Sequence, residues 1–149
     1  MPTDAEWSVA VGLGQEKGNT PQEKHRGIKD VYPWGKGYPP PKGAGNYDES
    51  LKVDKFDYTA PVGSFASYKN GLHDMGGNVW EWCQDWYGPY GKEKTFTDPM
   101  GPANGKDRVL RGGSWPFGSG LVRSAARFNK EPSIRNYYYG FRVARVFSK

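Results

Sequence analysis

The 149-residue sequence has little of the chemistry on which most small metal and redox sites depend. It holds one cysteine, Cys83, and two histidines, His25 and His73. A single cysteine excludes an internal disulfide framework and the paired-cysteine motifs of zinc and redox sites. Two isolated histidines do not make a three-histidine iron site. We therefore predict that Cys83, which lies among aromatic residues, is a small buried apolar side chain.

Long apolar runs and blocks of like charge are missing as well. No apolar stretch is long enough to cross a bilayer, and the N-terminus lacks the basic start and apolar core of a signal peptide. We expect no membrane partner, and the cellular compartment is left open. The formal net charge is +5, but the basic residues are scattered along the chain rather than grouped. A dispersed positive surface is ordinary, so we expect no nucleic-acid partner either.

Glycine, proline and aromatic residues are abundant instead. The chain contains 21 glycines, 12 prolines and 15% aromatic residues, which predicts a single domain over residues 1–149 with many turns around a core of rings. Thr3–Glu6 is a capping box, so a short helix should follow it. Strands are predicted at Arg108–Arg111 and Tyr139–Phe147. The polar residues 15–31 are predicted to form an exposed loop with at most one helical turn, and no helix is expected over residues 46–68.

The stretch Gly71–Trp86, GLHDMGGNVWEWCQDW, is the most unusual part of the chain. Its composition predicts a tight glycine turn that runs into a short buried aromatic strand. Asp74 and Glu81 supply carboxylates, and Gly77 and Val79 supply carbonyl oxygens between them. Because Ca²⁺ prefers such a mixture of oxygen ligands, these four residues form a candidate calcium site. The alternative interpretation is that both carboxylates cap the turn and pair with an arginine or a backbone amide.

Seven blocks of distinctive sequence follow one another along the chain: MPTDAEW (residues 1–7), YPWG (32–35), TAPVGSF (59–65), GLHDMGGNVWEW (71–82), RVLRGGSW (108–115), RSAAR (123–127) and GFRVAR (140–145). In this order they resemble the formylglycine-generating enzyme-like (sulfatase-modifying factor) domain family. The resemblance implies an irregular, loop-rich α+β fold of the C-type-lectin-like kind, with few short strands, one or two short helices and bound calcium. Full members carry an N-terminal portion that precedes the capping box, and we expect this chain to lack it.

The resemblance also bears on the metals. It implies a calcium at the four residues named above and a second calcium, so that one or two structural Ca²⁺ ions are expected. The second site would use the Asn46 and Asp54 side chains and the Tyr47 and Phe56 carbonyls. The family's oxidases bind Cu(I) through two cysteines in the segment that follows the GGS(W/Y) motif. The matching segment here, residues 116–122, has no cysteine. Since Cu(I) prefers thiolate ligands, we expect no copper and no oxidation of a sulfatase cysteine.

Two residues match positions near the active site of those oxidases. They are Ser114 and Trp80, and we interpret them as a turn hydroxyl and a core ring. Three arginines within the family's blocks, Arg123, Arg127 and Arg142, are interpreted as scaffold residues that bond loop carbonyls.

The late loop, residues 115–139, mixes aromatic rings with arginines. Aromatic faces beside guanidinium groups suit recognition of flat, anionic or protein surfaces. The loop is therefore predicted to bind a protein or a small polar ligand, and simple packing of the same rings is the alternative. The frame of this segment also resembles the ligand-binding variable proteins of diversity-generating retroelements. The candidate ligand-binding residues are Trp115, Phe117, Ser119, Phe128, Asn129, Tyr137, Tyr138 and Tyr139.

The leading functional hypothesis is a non-catalytic, calcium-stabilised binding domain that presents the late loop. One alternative is an enzyme of the sulfatase-modifying factor type, completed by a partner chain that supplies the missing N-terminal half. Another is a retroelement-diversified ligand-binding protein, and a third is a domain cut from a larger polypeptide such as a kinase fusion. Without that half, apolar surface would be exposed, so a homodimer or a partner chain is predicted.

Overall fold

Two short α-helices, one 3₁₀-helix and a small sheet are the regular structure of the described part of the chain. The computed structural model describes residues 1–68, 70–91, 97–118 and 120–145. An irregular α+β fold with few short elements is what the sequence predicted. In chain order the elements are α1 (Asp4–Ala10), α2 (Pro21–Gly27), a 3₁₀-helix (Glu49–Leu51), β1 (Trp80–Trp86), β2 (Arg108–Arg111), β3 (Arg127–Lys130) and β4 (Tyr139–Gly140).

The aromatic strand β1 lies inside the four-stranded sheet, whose strand order is β3-β2-β1-β4. On one side β1 pairs with β2 in antiparallel fashion, with Trp82 opposite Leu110, and β2 pairs in turn with β3. On the other side β1 pairs in parallel with the two residues of β4, with Trp80 opposite Tyr139. The prediction of a glycine turn leading into a buried aromatic strand is therefore confirmed, because Trp80 and Cys83 are fully buried.

Each of the two helices begins with a capping box. At α1 the Thr3 hydroxyl accepts from the Glu6 amide at 3.1 Å, and the Thr3 amide donates to the Glu6 carboxylate at 2.7 Å. At α2 Thr20 and Glu23 repeat the arrangement. The prediction of a loop with at most one helical turn over residues 15–31 was right only in part, because α2 is seven residues long, and the same T-x-x-E signature could have located this helix. Neither helix in the described part of the chain is long and apolar enough to cross a membrane.

The strand predictions were right in part. β2 has the predicted limits. The strand predicted over Tyr139–Phe147 is only two residues long, because residues 141–145 leave the sheet; Val146 and Phe147 lie outside the described residues. β3 was not predicted, since RFNK shows no apolar alternation and is placed by its pairing with β2. The 3₁₀-helix lies where no helix was expected, and Asp48 caps it by accepting from the Ser50 amide at 3.0 Å.

A buried ionic network attaches α1 to the sheet. Asp4 is 1% exposed and accepts from the guanidinium groups of Arg111 and Arg127, the latter at 3.0 Å. Arg127 also bonds Glu16 at 2.7 Å. Burial alone would raise the pKa of Asp4, but the two guanidinium groups hold it well below its usual value. The ionised network is thus a fixed part of the core.

Candidate functional site

An open cavity lies where the glycine turn meets β1. Its volume is about 380 Å³, and all four residues of the first predicted calcium site line it. Val62 and Gly63 border it on one side, and Phe141 and Arg142 border it on the other. The residues that line the cavity are Val62, Gly63, His73, Asp74, Gly77, Asn78, Val79, Glu81, Phe141 and Arg142.

The backbone of the turn is wound tightly. Asp74, Gly77 and Asn78 have φ values of 54°, 76° and 58°, a left-handed conformation that is uncommon outside glycine. The turn is held by Asn78, whose side chain accepts from the Ala60 amide at 2.9 Å and donates to the Ala60 carbonyl at 3.2 Å. A Cβ atom at Gly77 would lie 2.2 Å from the Asn46 carbonyl oxygen. The loop that carries the predicted ligands is therefore fixed by its contacts with two other segments.

The two carboxylates of the cavity have protein partners. Glu81 is 6% exposed and accepts from the Trp7 indole at 2.7 Å. It also accepts from Nε and Nη2 of Arg142 at 2.6 and 2.5 Å. Burial alone would lower the pKa of Arg142, but Glu81 raises it, which keeps the guanidinium charged. Asp74 accepts from the Gly63 amide at 2.7 Å. These pairings are the ones that the alternative interpretation of the site anticipated.

Oxygen atoms remain free for a cation at this cavity. Within the described part of the chain, no hydrogen bond is found to Oδ1 of Asp74 or to the carbonyl oxygens of Gly77 and Val79. The same part of the chain holds no group of three His, Cys, Asp or Glu side chains that could bind a metal. A cation here would therefore need backbone carbonyls as well as carboxylates. This is the donor set of Ca²⁺ and not of a soft metal.

The second predicted site is only partly assembled. The carboxylate of Asp54 accepts from the amides of Tyr47 and Phe56 at 3.0 and 2.9 Å. Asp54 and Phe56 line a separate cavity of about 240 Å³, whereas Asn46 and Tyr47 do not. The buried Oδ1 of Asn46 has no hydrogen-bond partner in the described ranges of the chain. Buried polar atoms are normally paired, so this oxygen is suited to bind a cation. The four predicted ligands of the second site do not, however, line one common cavity.

Five rings from three segments form what we call the aromatic surface: Tyr58, Trp115, Phe117, Tyr137 and Tyr138. The ring centroids of Trp115 lie 5.3 Å from Tyr58 and 5.9 Å from Tyr137. Tyr138 lies 5.1 Å from Tyr137 and 5.5 Å from Phe117. Tyr58 and Tyr137 are 69% and 71% exposed. Four predicted ligand residues are thus brought together, and Tyr58 joins them from a loop that showed no signal in the sequence.

The other predicted ligand residues have different surroundings. The ring of Phe128 packs 5.5 Å from the buried Trp80. The half-buried ring of Tyr139 lies 5.7 Å from Trp82 and 4.8 Å from Tyr138, so it joins the strand β1 to the aromatic surface. The Asn129 side chain bonds the carboxylate of an aspartate that precedes β2 and has no ring contact of this kind.

The arginines of the late loop serve the scaffold, as predicted. Arg123 donates to the carbonyls of His25 and Ile28 at 2.9 and 2.7 Å, and Arg127 belongs to the ionic network described above. The late loop therefore exposes aromatic side chains, while Arg123 and Arg127 are bonded to the scaffold and Arg135 is exposed. The candidate Ser119 lies outside the described residues.

The positions that match the oxidases' active-site region are buried. Ser114 and Trp80 are both 0% exposed, and neither the Ser114 hydroxyl nor the Trp80 indole has a hydrogen-bond partner among the residues that the structure describes. Burial raises the pKa of the Cys83 thiol well above its usual value. A buried neutral thiol is neither a nucleophile nor a metal ligand.

Comparison with known proteins agrees with this architecture. The family described as "Sulfatase-modifying factor enzyme 1-like domain" matches residues 1–147. The chain is 37% identical over 148 residues to the serine/threonine-protein kinase Pkn1 of Chlamydia trachomatis serovar L2, covering 97% of this chain and 21% of the kinase. It is 37% identical over 163 residues to the formylglycine-generating enzyme of Thermomonospora curvata, covering 97% of this chain and 48% of the enzyme.

A solved structure, Treponema denticola variable protein 1, shares the fold. The TM-score is 0.62 at 30% sequence identity, and the match covers 95% of this chain and 45% of that protein. The chain therefore spans half or less of the length of each of these three relatives. The family profile extends over nearly every residue, and the chain belongs to the sulfatase-modifying factor enzyme 1-like family.

Proposed function

We propose that this chain is a non-catalytic, calcium-stabilised binding domain that presents the aromatic surface to a protein or another ligand. The observation that carries the proposal is the exposed cluster of rings built on a fixed scaffold. Tyr58 and Tyr137 remain largely exposed although both contact Trp115. Exposed, rigid aromatic rings supply large contact area at low entropic cost, which is typical of binding surfaces.

Calcium has a structural role in this proposal. At the first site Asp74 and Glu81 would hold the ion together with the carbonyls of Gly77 and Val79, and Asn46 Oδ1 is the best placed ligand for a second ion. When bound, Ca²⁺ offsets carboxylate charge and cross-links loops that lack regular hydrogen-bonded ladders. The chain's own residues fix the conformation of the glycine turn, which lines the open cavity, through the bonds between Asn78 and Ala60.

We expect Ca²⁺ to raise the melting temperature of the chain. At a free concentration about 100-fold above its Kd, one bound ion adds about 2.7 kcal/mol to the free energy of unfolding, or roughly 5–10 °C for a chain of this size. Differential scanning fluorimetry in CaCl₂ and in EGTA measures the shift, with MgCl₂ as the ionic-strength control. Asp74→Asn should reduce it. Identical melting temperatures in calcium and EGTA would count against both sites.

We also expect the aromatic surface to select ligands. Peptides selected from a random display library for binding to the wild-type chain should bind the Tyr137→Ala variant at least tenfold more weakly. Exposed aromatic anchors contribute about 2 kcal/mol or more to binding. Ile134→Ala, which alters an exposed apolar residue outside the cluster, is the matched control. Circular dichroism should show both variants folded. If the selected peptides bound Tyr137→Ala and the wild type equally, the aromatic surface would not be their binding site.

A second candidate function follows from the kinase comparison. The kinase Pkn1 carries a segment similar to this chain within a protein almost five times as long, since the match covers 21% of it. The proposed binding domain could serve as the ligand-recognition part of such a larger protein. The enzyme alternative has less support, because Ser114 is buried and the segment that would carry copper ligands has no cysteine.

A further inference from the structure

The guanidinium of Arg142 occupies the cavity where a cation is proposed to bind. It forms a two-pronged contact with Glu81, with Nε on Oε2 and Nη2 on Oε1. Nη2 also reaches the carbonyls of His73 and Asp74 at 3.2 Å. One positive group thus already bonds a carboxylate and two backbone carbonyls, which are the kinds of oxygen that a calcium ion takes.

The Glu81 carboxylate has limited capacity for further partners. It accepts three donors in all, two from Arg142 and one from the Trp7 indole, and a carboxylate offers about four lone-pair positions. A divalent ion placed on the same oxygens would repel the guanidinium at short range. Arg142 and the ion are therefore competitors for Glu81.

The segment that carries Arg142 also carries part of the aromatic surface. Tyr138 is four residues before Arg142, and its carbonyl accepts from the Trp80 amide at 2.8 Å. Along the chain, the two residues of β4 lie between Tyr138 and Arg142, and they pair with the start of β1. After β4 the chain has no further strand pairing within the described residues, and Phe141 and Val143 are 68% and 81% exposed. Arg142 is therefore flanked by two exposed apolar residues and held to the glycine turn by its own side-chain bonds.

We propose that Arg142 is a built-in competitor for the cation, so that calcium and the Arg142 guanidinium exchange at Glu81. This inference rests on the calcium site proposed above. Without calcium, Arg142 anchors the end of β4 to the glycine turn. With calcium, the guanidinium leaves Glu81 and the carbonyls of His73 and Asp74. Calcium would then act on the anchoring of the segment that also carries Tyr138, as well as on stability.

The test is calcium titration of two charge-removing variants by isothermal calorimetry. Arg142→Gln should bind Ca²⁺ about tenfold or more tightly than wild type, because a positive charge in direct contact with a ligand carboxylate is lost. Arg135→Gln removes an exposed charge elsewhere and should stay within about twofold of wild type, since exposed charges are strongly screened. Arg142→Lys keeps the charge but loses the two-pronged contact, and should fall between the two.

A second readout uses the wild-type chain and does not depend on the folding of a variant. In ¹⁵N-correlated NMR spectra, the Nε–H signal of Arg142, assigned by its loss in Arg142→Lys, should shift on addition of calcium. Equal calcium affinity in wild type and Arg142→Gln, or an unmoved Arg142 signal at saturating calcium, would overturn the exchange and leave the calcium site standing. Absence of calcium binding in both proteins would overturn the site and the exchange together. Binding by Arg142→Gln alone would support the exchange while rejecting calcium as a stabiliser of the wild-type chain.

Discussion

Replacing Asp4 with asparagine should lower the free energy of unfolding by about 3–5 kcal/mol, the usual effect of removing one partner of a buried ion pair. The substitution keeps the shape of the side chain but leaves Arg111 and Arg127 with one carboxylate, Glu16, between them. It also weakens the bond from the Tyr90 hydroxyl, which donates to Asp4 at 2.6 Å. Two buried guanidinium groups would then be short of counter-charge.

Urea unfolding followed by tryptophan fluorescence measures this effect. Asp30→Asn is the matched control, because Asp30 is exposed and its loss should change the free energy of unfolding by less than about 0.5 kcal/mol. The wild-type network should also fail in acid. Since the pKa of Asp4 is held below its usual value, its contribution is present at neutral pH and is lost as the pH falls through that lowered pKa. If Asp4→Asn lowered the free energy of unfolding by less than about 1 kcal/mol, the buried guanidinium groups would not depend on this carboxylate, and the prediction would be wrong.

Gly77→Ala is expected to be the most damaging single-methyl substitution in the glycine turn. Gly77 has a φ of +76°, and its added Cβ would meet the Asn46 carbonyl oxygen at 2.2 Å and the Tyr47 ring at 2.7 Å. The left-handed backbone contributes about 1–2 kcal/mol of destabilisation, and the collision adds about 1–3 kcal/mol. We expect a total loss of about 2–5 kcal/mol in the free energy of unfolding.

The chain offers a close control for the backbone part of this effect. Gly71 has a φ of +77°, but nothing lies within 4 Å of its added Cβ. Gly71→Ala should therefore lose only the backbone contribution of about 1–2 kcal/mol. Chemical denaturation of both variants isolates the collision as the difference between them. Equal losses in the two variants would mean that the backbone of the turn shifts to relieve the collision, and that the contact with Asn46 does not fix its position.

The sequence predicted local features of this fold better than long-range ones. The capping box at Thr3 and the buried strand after Gly77 depend on neighbouring residues, and both are confirmed. β3 has no such local signal, because Arg127 and Phe128 are placed by pairing with β2 and by the ionic network. The early end of β4 is also a tertiary effect. Phe141 and Val143 alternate as strand residues do, but the described residues offer no strand that pairs with them.

For the candidate site, the residue types were predictable and their pairing was not. Asp74 and Glu81 were recognised as carboxylates of one loop, and they do line one cavity. That Arg142 would bond Glu81 could not be read from the spacing, since 61 residues separate them. Tyr58 shows the same limit, because its exposure beside Trp115 depends on how two distant loops meet.

The ionic network also constrains the order of folding. Asp4 is separated by 107 residues from Arg111 and by 123 residues from Arg127, so α1 finds its partners only after most of the chain is available. Bringing such distant residues together carries a loop-closure entropy that slows folding, and chains dominated by distant contacts fold in roughly milliseconds to seconds. During synthesis, α1 leaves the ribosome before β2 and β3 are made. Asp4 therefore has neither arginine partner in a nascent chain that has not yet reached Arg111 and Arg127.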